Sequence, residues 1–345
     1  MNNLIYPKHV HRPMKLSDLG ERRIIDRIIP ILKGFDKSKM NNSSAIDYGD
    51  DVAALEFADR YMVISTDMLT QSTHIPVEAT PWQIGWYAVS TNLSDIAAKG
   101  ATPIGLVASL GMPQDKEIDF VEDLMRGMGD CAFQFKTSIL GGDTKPNEHL
   151  TISVAALGII KKEFFMPRRG GKKGDLIAVT GELGEAARGY YSNDMKLLLE
   201  PIPCIEEGRA LARTGAVTSS MDISVGLANS LYQLSKLNGL QYRIELDRIP
   251  VTRKLKDYCE KEGKKWEDLA VQFGGDFELL VTIDPEKLTV VQEALDGIFA
   301  KLSVIGEVTE ENIDGRKAKN TLVRDGTEEE LKDLGYEHFR DSRLR

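Results

Sequence analysis

The stretch KKEFFMPRRGGKKGD, residues 161–175, most constrains the fold. It is basic and rich in glycine, and Pro167 within it removes a backbone donor and locks one φ. Neither a helix nor a buried strand continues through such a segment, so the patterned sequence on each side must build its own core. A length of 345 residues agrees, since it exceeds what one hydrophobic core usually organises.

Upstream, the spacing predicts a helix from Ser17 with Ile24, Ile25, Ile28 and Ile29 on one face, ending near Pro30. IDYGDDVAALEF is a turn followed by a short apolar run, and YMVIS (61–65) reads as a strand. Thr80-Pro81 opens a long helix to Ala98, proline being suited to a first turn, with Ala88, Val89, Leu93, Ile96 and Ala97 as its buried stripe. Residues 103–112 form a strand, 116–136 a helix with Phe120, Leu124, Met128 and Cys131 in line, and 138–143 and 150–160 two more strands. Downstream, 175–181 begins a second pattern. Its helices lie near 183–193, 206–213 and 225–237, and its strands near 241–246, 278–283 and 302–308. Strands and helices mix without the regular alternation of a doubly wound sheet, which predicts an α+β class with two mixed domains. The expected boundaries are a loose tail over 1–14, an amino-terminal domain over 15–160 and a carboxy-terminal domain over 161–345. No repeat of fixed period is visible.

A net charge of −9 argues against general nucleic-acid affinity, which rests on neutralising phosphates with lysine and arginine. Cys131, Cys204 and Cys259 lie far apart without C-x-x-C spacing, which suits a reduced cytoplasm and argues against zinc or disulfides. Residues 1–13 lack the apolar core of a secretory signal, and His9 and His11 there read as part of a loose tail. No run approaches the roughly 18 apolar residues of a membrane helix. The expectation is a soluble cytoplasmic protein.

Most acidic residues fall on amphipathic helix faces, but a few do not. Asp50 and Asp51 follow Gly49, Asp67 closes VISTD, Asp95 closes NLSD, Asp143 closes ILGGD and Asp222 opens DIS. Each lies at the end of an element with small or apolar neighbours. Any one of them is ordinarily a turn former or helix cap. Gathered at the mouths of buried elements, however, carboxylates raise one another's pKa unless a cation neutralises them. Hard divalent ions with oxygen ligands fit, and Mg²⁺ fits better than an all-protein calcium cage because it binds through a few carboxylates plus substrate phosphates. Ser65 and Asp67 share one face of their strand, and Thr66 would offer its carbonyl. Gly49, Gly141 and Gly142 allow main chain to approach phosphate or metal. Arg168, Arg169, Lys172 and Lys173 would fold over phosphates or form a solvated basic linker. The P-loop and protein-kinase signatures are absent.

Taken in order, GDDVAAL (49–55), STDML with His74, NLSDIAAKGATP (92–103), GGDT (141–144), RRGGKKGDLIAVTG (168–181), DIS-x-GL (222–227), GGDFELL (274–280) and GYEHF (335–339) resemble the thiamine-monophosphate kinases. That family shares a superfamily with aminoimidazole ribonucleotide synthetase, selenophosphate synthetase and a hydrogenase-maturation protein. The resemblance spans roughly residues 15–340. It implies a homodimer whose amino-terminal domains join in a shared β-barrel, a carboxy-terminal α/β sandwich, and ATP bound between domains. By position, Asp51, Ser65, Thr66, Asp67, Asp95, Asp143 and Asp222 would hold several Mg²⁺ ions. Gly142, Asp143, Arg168 and Ser224 would contact ATP, and His74 and Tyr336 would contact thiamine monophosphate.

Two positions depart from the family pattern. Val225 stands where DISDGL has a further acid, and Gly275 falls where GGEDYEL has an acid that faces the substrate. The implied reaction joins two anions in line on Mg²⁺, so metal neutralisation and positioning carry it, without a protein nucleophile or phosphoenzyme. Two alternatives stay open: another ATP-dependent member of the superfamily acting on a different small molecule, and a catalytically silent ATP-binding regulator. Selenophosphate synthetase is disfavoured by the absence of cysteine before Cys131, and the hydrogenase-maturation protein by a tail ending RDSRLR.

Overall fold

The computed structural model describes residues 15–33, 45–46, 48–311, 319–332 and 339. The chain divides into two compact units, one of Met1–Asn41 with Glu337–Arg345 and one of Asn42–Tyr336. In the first, a 3₁₀ turn at Leu16–Asp18 precedes helix α1 (Glu21–Lys33). Pro30 lies inside α1 rather than ending it. Its missing amide forfeits one helical hydrogen bond, but the apolar stripe runs on through Ile31 and Leu32 and the helix follows it.

The second unit carries two mixed sheets. The first has β1 (Ala53–Phe57), β2 (Arg60–Thr70), β3 (Thr102–Met112), β4 (Ile139–Pro146) and β5 (Thr151–Lys161) in the order β1-β2-β5-β3-β4. Only the β3–β4 pair is parallel. Between these strands come α2 (Gln71–His74), α3 (Pro81–Ala98) and α4 (Ile118–Gln134). Alternation along β5 buries Ile152, Val154 and Ala156, which join a core containing Val89, Leu93 and Ile96 of α3. The opposite face, with Ala155, Val107, Met68 and Ile104, is half-buried or exposed. Among the described residues this sheet is open, with β1 and β4 as its edges, and does not close into a barrel.

The remaining elements are β6 (Leu176–Thr180), α5 (Glu185–Ser192), α6 (Met195–Leu199), α7 (Ile205–Thr214), β7 (Val217–Asp222), α8 (Leu227–Asn238) and β8 (Leu240–Glu245). They continue with α9 (Arg253–Glu262), α10 (Trp266–Gln272), β9 (Leu279–Ile283), α11 (Leu288–Asp296), β10 (Leu302–Glu311), β11 (Thr321–Arg324) and β12 (Thr327–Glu330). Their sheet runs β12-β11-β8-β10-β6-β9-β7, with β11–β8 its one parallel pair. Every residue of β9 is buried. Leu279, Val281 and Ile283 join the core shared with α7, α11 and α3, and Leu280 joins the core shared with α8 and α10. A strand covered by helices on both faces has no polar side to alternate with.

Helix α3 positions the site. Thr80 and Gln83 form a reciprocal capping box, and Pro81 fills the first turn. From Ile84 to Ala98 nearly every residue is buried, because α3 packs on β2 and β5, on α4, on α7 and on β7. A Cβ on Gly208 of α7 would stand 2.1 Å from the Ala97 carbonyl oxygen, so glycine lets α7 lie directly on the end of α3.

Candidate active site

Three pieces of chain meet beside the end of α3. The Gly49-Asp50-Asp51 turn enters β1, with Gly49 at φ +102°, a conformation that favours glycine. Helix α3 presents Asn92, Ser94 and Asp95, and β7 ends at Asp222. Carboxylate oxygens of Asp51, Asp95 and Asp222 lie within 4.8 Å of one another. Ser94 donates to Asp222 Oδ2 at 2.8 Å, Ser65 donates to Asp95, and the Asp67 amide donates to Asn92 Oδ1 at 3.0 Å. Thr66 turns the other way along β2 and donates its hydroxyl to the Val154 carbonyl at 3.0 Å.

Two cations reach this group from inside the protein. Lys99, wholly buried, places Nζ 2.7 Å from Asp50 Oδ1 and 2.6 Å from Asp51 Oδ2, and donates to the Ser220 carbonyl at 2.8 Å. Arg168 grips Asp51 Oδ1 through Nη2 and, at 2.7 Å, through Nε, while its amide donates to Asp50 Oδ2 at 2.8 Å. Burial pushes the Asp51 carboxyl upward, but Arg168 and Lys99 outweigh it and hold the group below the ordinary aspartate value.

Asp95 and Asp222 are held by hydroxyl donors instead, although the charge of Arg168 also draws Asp222 downward. Burial, then the charges of Asp67, Asp222 and Asp51, raise Asp95 well above its usual range. Burial, then Asp51, push Asp222 up to about 7 despite the bond from Ser94. The same influences, burial first and Asp67 second, raise the phenol of Tyr87 one turn before Asn92. Buried carboxylates this close, all-oxygen in their donor atoms and short of positive charge, fit a hard divalent cation.

The chain matches the model of the AIR synthase related protein, N-terminal domain, over residues 49–160, and that of its C-terminal domain over 172–319. It is 32% identical over 290 residues to the thiamine-monophosphate kinase of Aquifex aeolicus, covering 79% of this chain and 89% of that protein. It is 36% identical over 241 residues to that of Methanospirillum hungatei, covering 69% and 81%. The chain belongs to the thiamine-monophosphate kinase family. Among solved structures, AaThiL complexed with AMPPCP and TMP superposes with a TM-score of 0.80 at 28% identity, covering 94% of this chain and 99% of that one.

Against this family pattern, the sequence-derived residues fall into three groups. Asp51, Ser65, Asp67, Asp95, Asp222 and Arg168 converge around the carboxylate group. Asp143 does not join the set within 4.8 Å: it is exposed on edge strand β4, its carboxyl lowered chiefly by the bond from Lys145 at 3.1 Å. Gly142 abuts β3 so closely that a Cβ would stand 1.8 Å from the Ala108 carbonyl oxygen, which makes it a requirement of strand pairing. His74 closes α2, its Nδ1 accepting from the Thr70 amide at 3.2 Å. Ser224 sits in the turn after β7, where its carbonyl accepts from the Gly275 amide at 2.9 Å. Tyr336 lies outside the described residues.

The basic loop is anchored rather than loose, since the amides of Gly170 and Gly171 donate to Asn238 Oδ1 at the end of α8 and Arg169 donates to the Leu237 carbonyl. Gly275 has φ +98°, so the turn itself favours glycine at the position where the family pattern has an acid. Lys99, Asn92 and Ser94 were not singled out from sequence. Their signal was present in NLSDIAAKG, where polar residues interrupt an otherwise apolar helix.

At the same end of the seven-stranded sheet, an open cavity of about 480 Å³ is lined by Glu182, Glu185, Glu207, Asp276 and Glu278 against one cation, Lys301. Ile223 donates its amide to the Glu278 carbonyl at 2.7 Å, so this acidic cavity and Asp222 share a strand junction.

Proposed function

We propose that the protein transfers the γ-phosphoryl group of ATP to thiamine monophosphate, giving ADP and thiamine diphosphate. The observation that carries this reading is the convergence of Asp51, Asp95 and Asp222 in a chain that belongs to the thiamine-monophosphate kinase family. ATP as co-substrate is supported by the related AaThiL, complexed with an ATP analogue and TMP. Mg²⁺ would be held by Asp51, Asp95 and Asp222, with Ser65 and Asp67 beside them, while Thr66, turned to the other face of β2, and Asp143, exposed on β4, stand apart from this set. Bound there, it supplies the charge neutralisation that brings two phosphates together. The residues of the chain do the positioning. Ser94 and Ser65 orient two carboxylates, Lys99 and Arg168 orient the third, and Arg168 is placed to follow a nucleotide phosphate once it leaves Asp51. No protein nucleophile is required, because the acceptor oxygen is already anionic and needs orientation rather than activation.

The acidic cavity beside Glu278 suits the cationic thiazolium end of thiamine monophosphate, with His74 and Tyr336 as further contacts. Gly142, Asp143 and Ser224 complete the proposed nucleotide side. We assign the exposed apolar face of the five-stranded sheet, with Met68, Ile104 and Val107, to pairing with a second copy that closes a shared barrel. The seven-stranded sheet with helices on both faces then forms the carboxy-terminal sandwich of each copy. We propose a cytoplasmic location, which the three unpaired cysteines Cys131, Cys204 and Cys259 support; no described helix is long and apolar enough to cross a membrane.

The test is ADP release measured with ATP and Mg²⁺, with and without thiamine monophosphate. Release that depends on thiamine monophosphate is expected; ATP binding without it would favour the silent regulator. Light scattering should give twice the chain mass of 38.3 kDa, and a monomer would remove the shared barrel.

A further inference from the structure

Lys99 has no solvent exposure, and α3 ends where its side chain must turn into the carboxylate group. Three oxygens surround the ammonium: Asp50 Oδ1 at 2.7 Å and Asp51 Oδ2 at 2.6 Å as ion pairs, and the Ser220 carbonyl, which accepts its hydrogen bond at 2.8 Å. Two carboxylates and a main-chain carbonyl are an oxygen set that hard cations also take from proteins. We infer that Lys99 is a tethered cation, its ammonium filling a place beside the metal-binding carboxylates that a free ion would otherwise occupy, so that this site takes one ion fewer.

The two internal cations therefore have different parts. Lys99 is sealed from solvent between two carboxylates, and its bond to Ser220 fixes β7 two residues before Asp222. That makes it a positioning residue, setting the separation of Asp51 from Asp222. The Arg168 side chain keeps 16% of its surface exposed and also reaches the Gly49 carbonyl and Gln233, so it can exchange partners. Asp51 would then offer an incoming ion Oδ1, the atom held by Arg168, and keep Oδ2 on Lys99. A simple packing strut predicts something else, namely a loss on truncation that no added ion repairs.

The inference builds on the proposed metal-nucleotide role of the cluster. Its test reads ion count and melting rather than turnover, so an inactive enzyme and a failed Lys99 assignment give different results. The full-length Lys99→Met protein is melted in chelator, in K⁺ and in Mg²⁺, and dialysed against Mn²⁺ with a non-hydrolysable ATP analogue. It should melt far below wild type in chelator and recover most of that deficit with either ion, its shift being roughly twice that of wild type or more. Dialysis should retain about one additional Mn²⁺ per chain. An unchanged deficit in every ion, with the wild-type ion count, overturns the inference. Should the single variant not fold, Asp50→Asn/Lys99→Met strands one carboxylate instead of two. It should fold in Mg²⁺ and melt in an ion-dependent way, and failure to fold in any ion overturns the inference equally.

Discussion

Asp51 and the pair Asp95 and Asp222 belong to one carboxylate group, yet the protein treats them oppositely. Asp51 is held ionised by two cations built into the chain, whereas Asp95 and Asp222 are buried with only hydroxyl donors and are pushed toward their neutral forms. The difference separates two tasks. The Asp51 side is assembled before any ligand arrives and ties the β1 turn to α3 and β7. The Asp95 and Asp222 side stores unfavourable charge that an arriving cation relieves, which couples metal binding to completion of the site.

Substitution separates the two sides most sharply. Asp51→Asn removes the shared partner of Lys99 and Arg168 and leaves buried positive charge uncompensated, an effect of about 3–5 kcal/mol. Urea unfolding in chelator should show that loss, and a stable Asp51→Asn protein would mean that the two cations relax to Asp50 or to solvent. Asp95→Asn should do the reverse to the ligand-free protein, raising its melting temperature because an amide is buried at less cost than a carboxyl crowded by Asp67, Asp222 and Asp51. Its turnover should nonetheless fall by about 10²-fold or more, the scale lost with a transition-state charge stabiliser. Near-normal turnover at saturating Mg²⁺ would take Asp95 out of the metal set.

Adding charge is a milder probe. Val225 is half-buried in the turn after Asp222, against Gly274, and not within α8, whose first residue is Leu227. Val225→Asp would extend the carboxylate-rich side, so half-maximal rate should need less Mg²⁺, with a stability loss of about 1 kcal/mol at this half-buried position. An unchanged or higher Mg²⁺ requirement would show that this turn does not face the ion.

How far these contrasts were legible in sequence depends on what marks burial. The stripe of α3 and the acids at element ends could be read directly, because apolar spacing and an acid among small residues both stand out. Strand β7 could not. Its Ser219 and Ser220 are buried only because they hydrogen-bond to Thr282 and to the Ala98 carbonyl, and a polar strand gives no alternating signal. Asp143 met the same criterion as Asp95, but β4 is an edge strand, and edge position depends on strand order, which local pattern does not encode. Lys99 reads as an ordinary cation at a helix carboxyl terminus, where the dipole favours it. Its partners Asp50 and Asp51 come from a turn nearly fifty residues earlier, and only the folded chain brings them together. Helices α9, α10 and α11 pass without strong stripes because each buries only a few residues.

The smallest expected effect tests whether the acidic cavity resembles the unbalanced side of the cluster. Asp276 accepts from the amides of Gly184 and Ala186 at 2.8 and 3.0 Å, capping the start of α5, yet burial pushes its carboxyl up to about 7. The folded group then keeps a proton that the unfolded chain releases near pH 4. Between those values the folded state binds more protons, so rising pH through this window destabilises the ligand-free protein, the loss being complete above about pH 7. Asp95 and Asp222 push in the same direction, so the contribution of Asp276 must be isolated by Asp276→Asn, which cannot titrate and keeps one acceptor for the helix amides. Because the cavity is open, the effect should be about 1 kcal/mol, below the full value of a shift this size. Urea unfolding in chelator at about pH 5 and about pH 7 should show a smaller stability difference for Asp276→Asn than for wild type. An equal difference would mean that Asp276 is ionised throughout and serves the cavity only as a helix cap, leaving the carboxylate group at Asp95 and Asp222 as the source of the pH dependence.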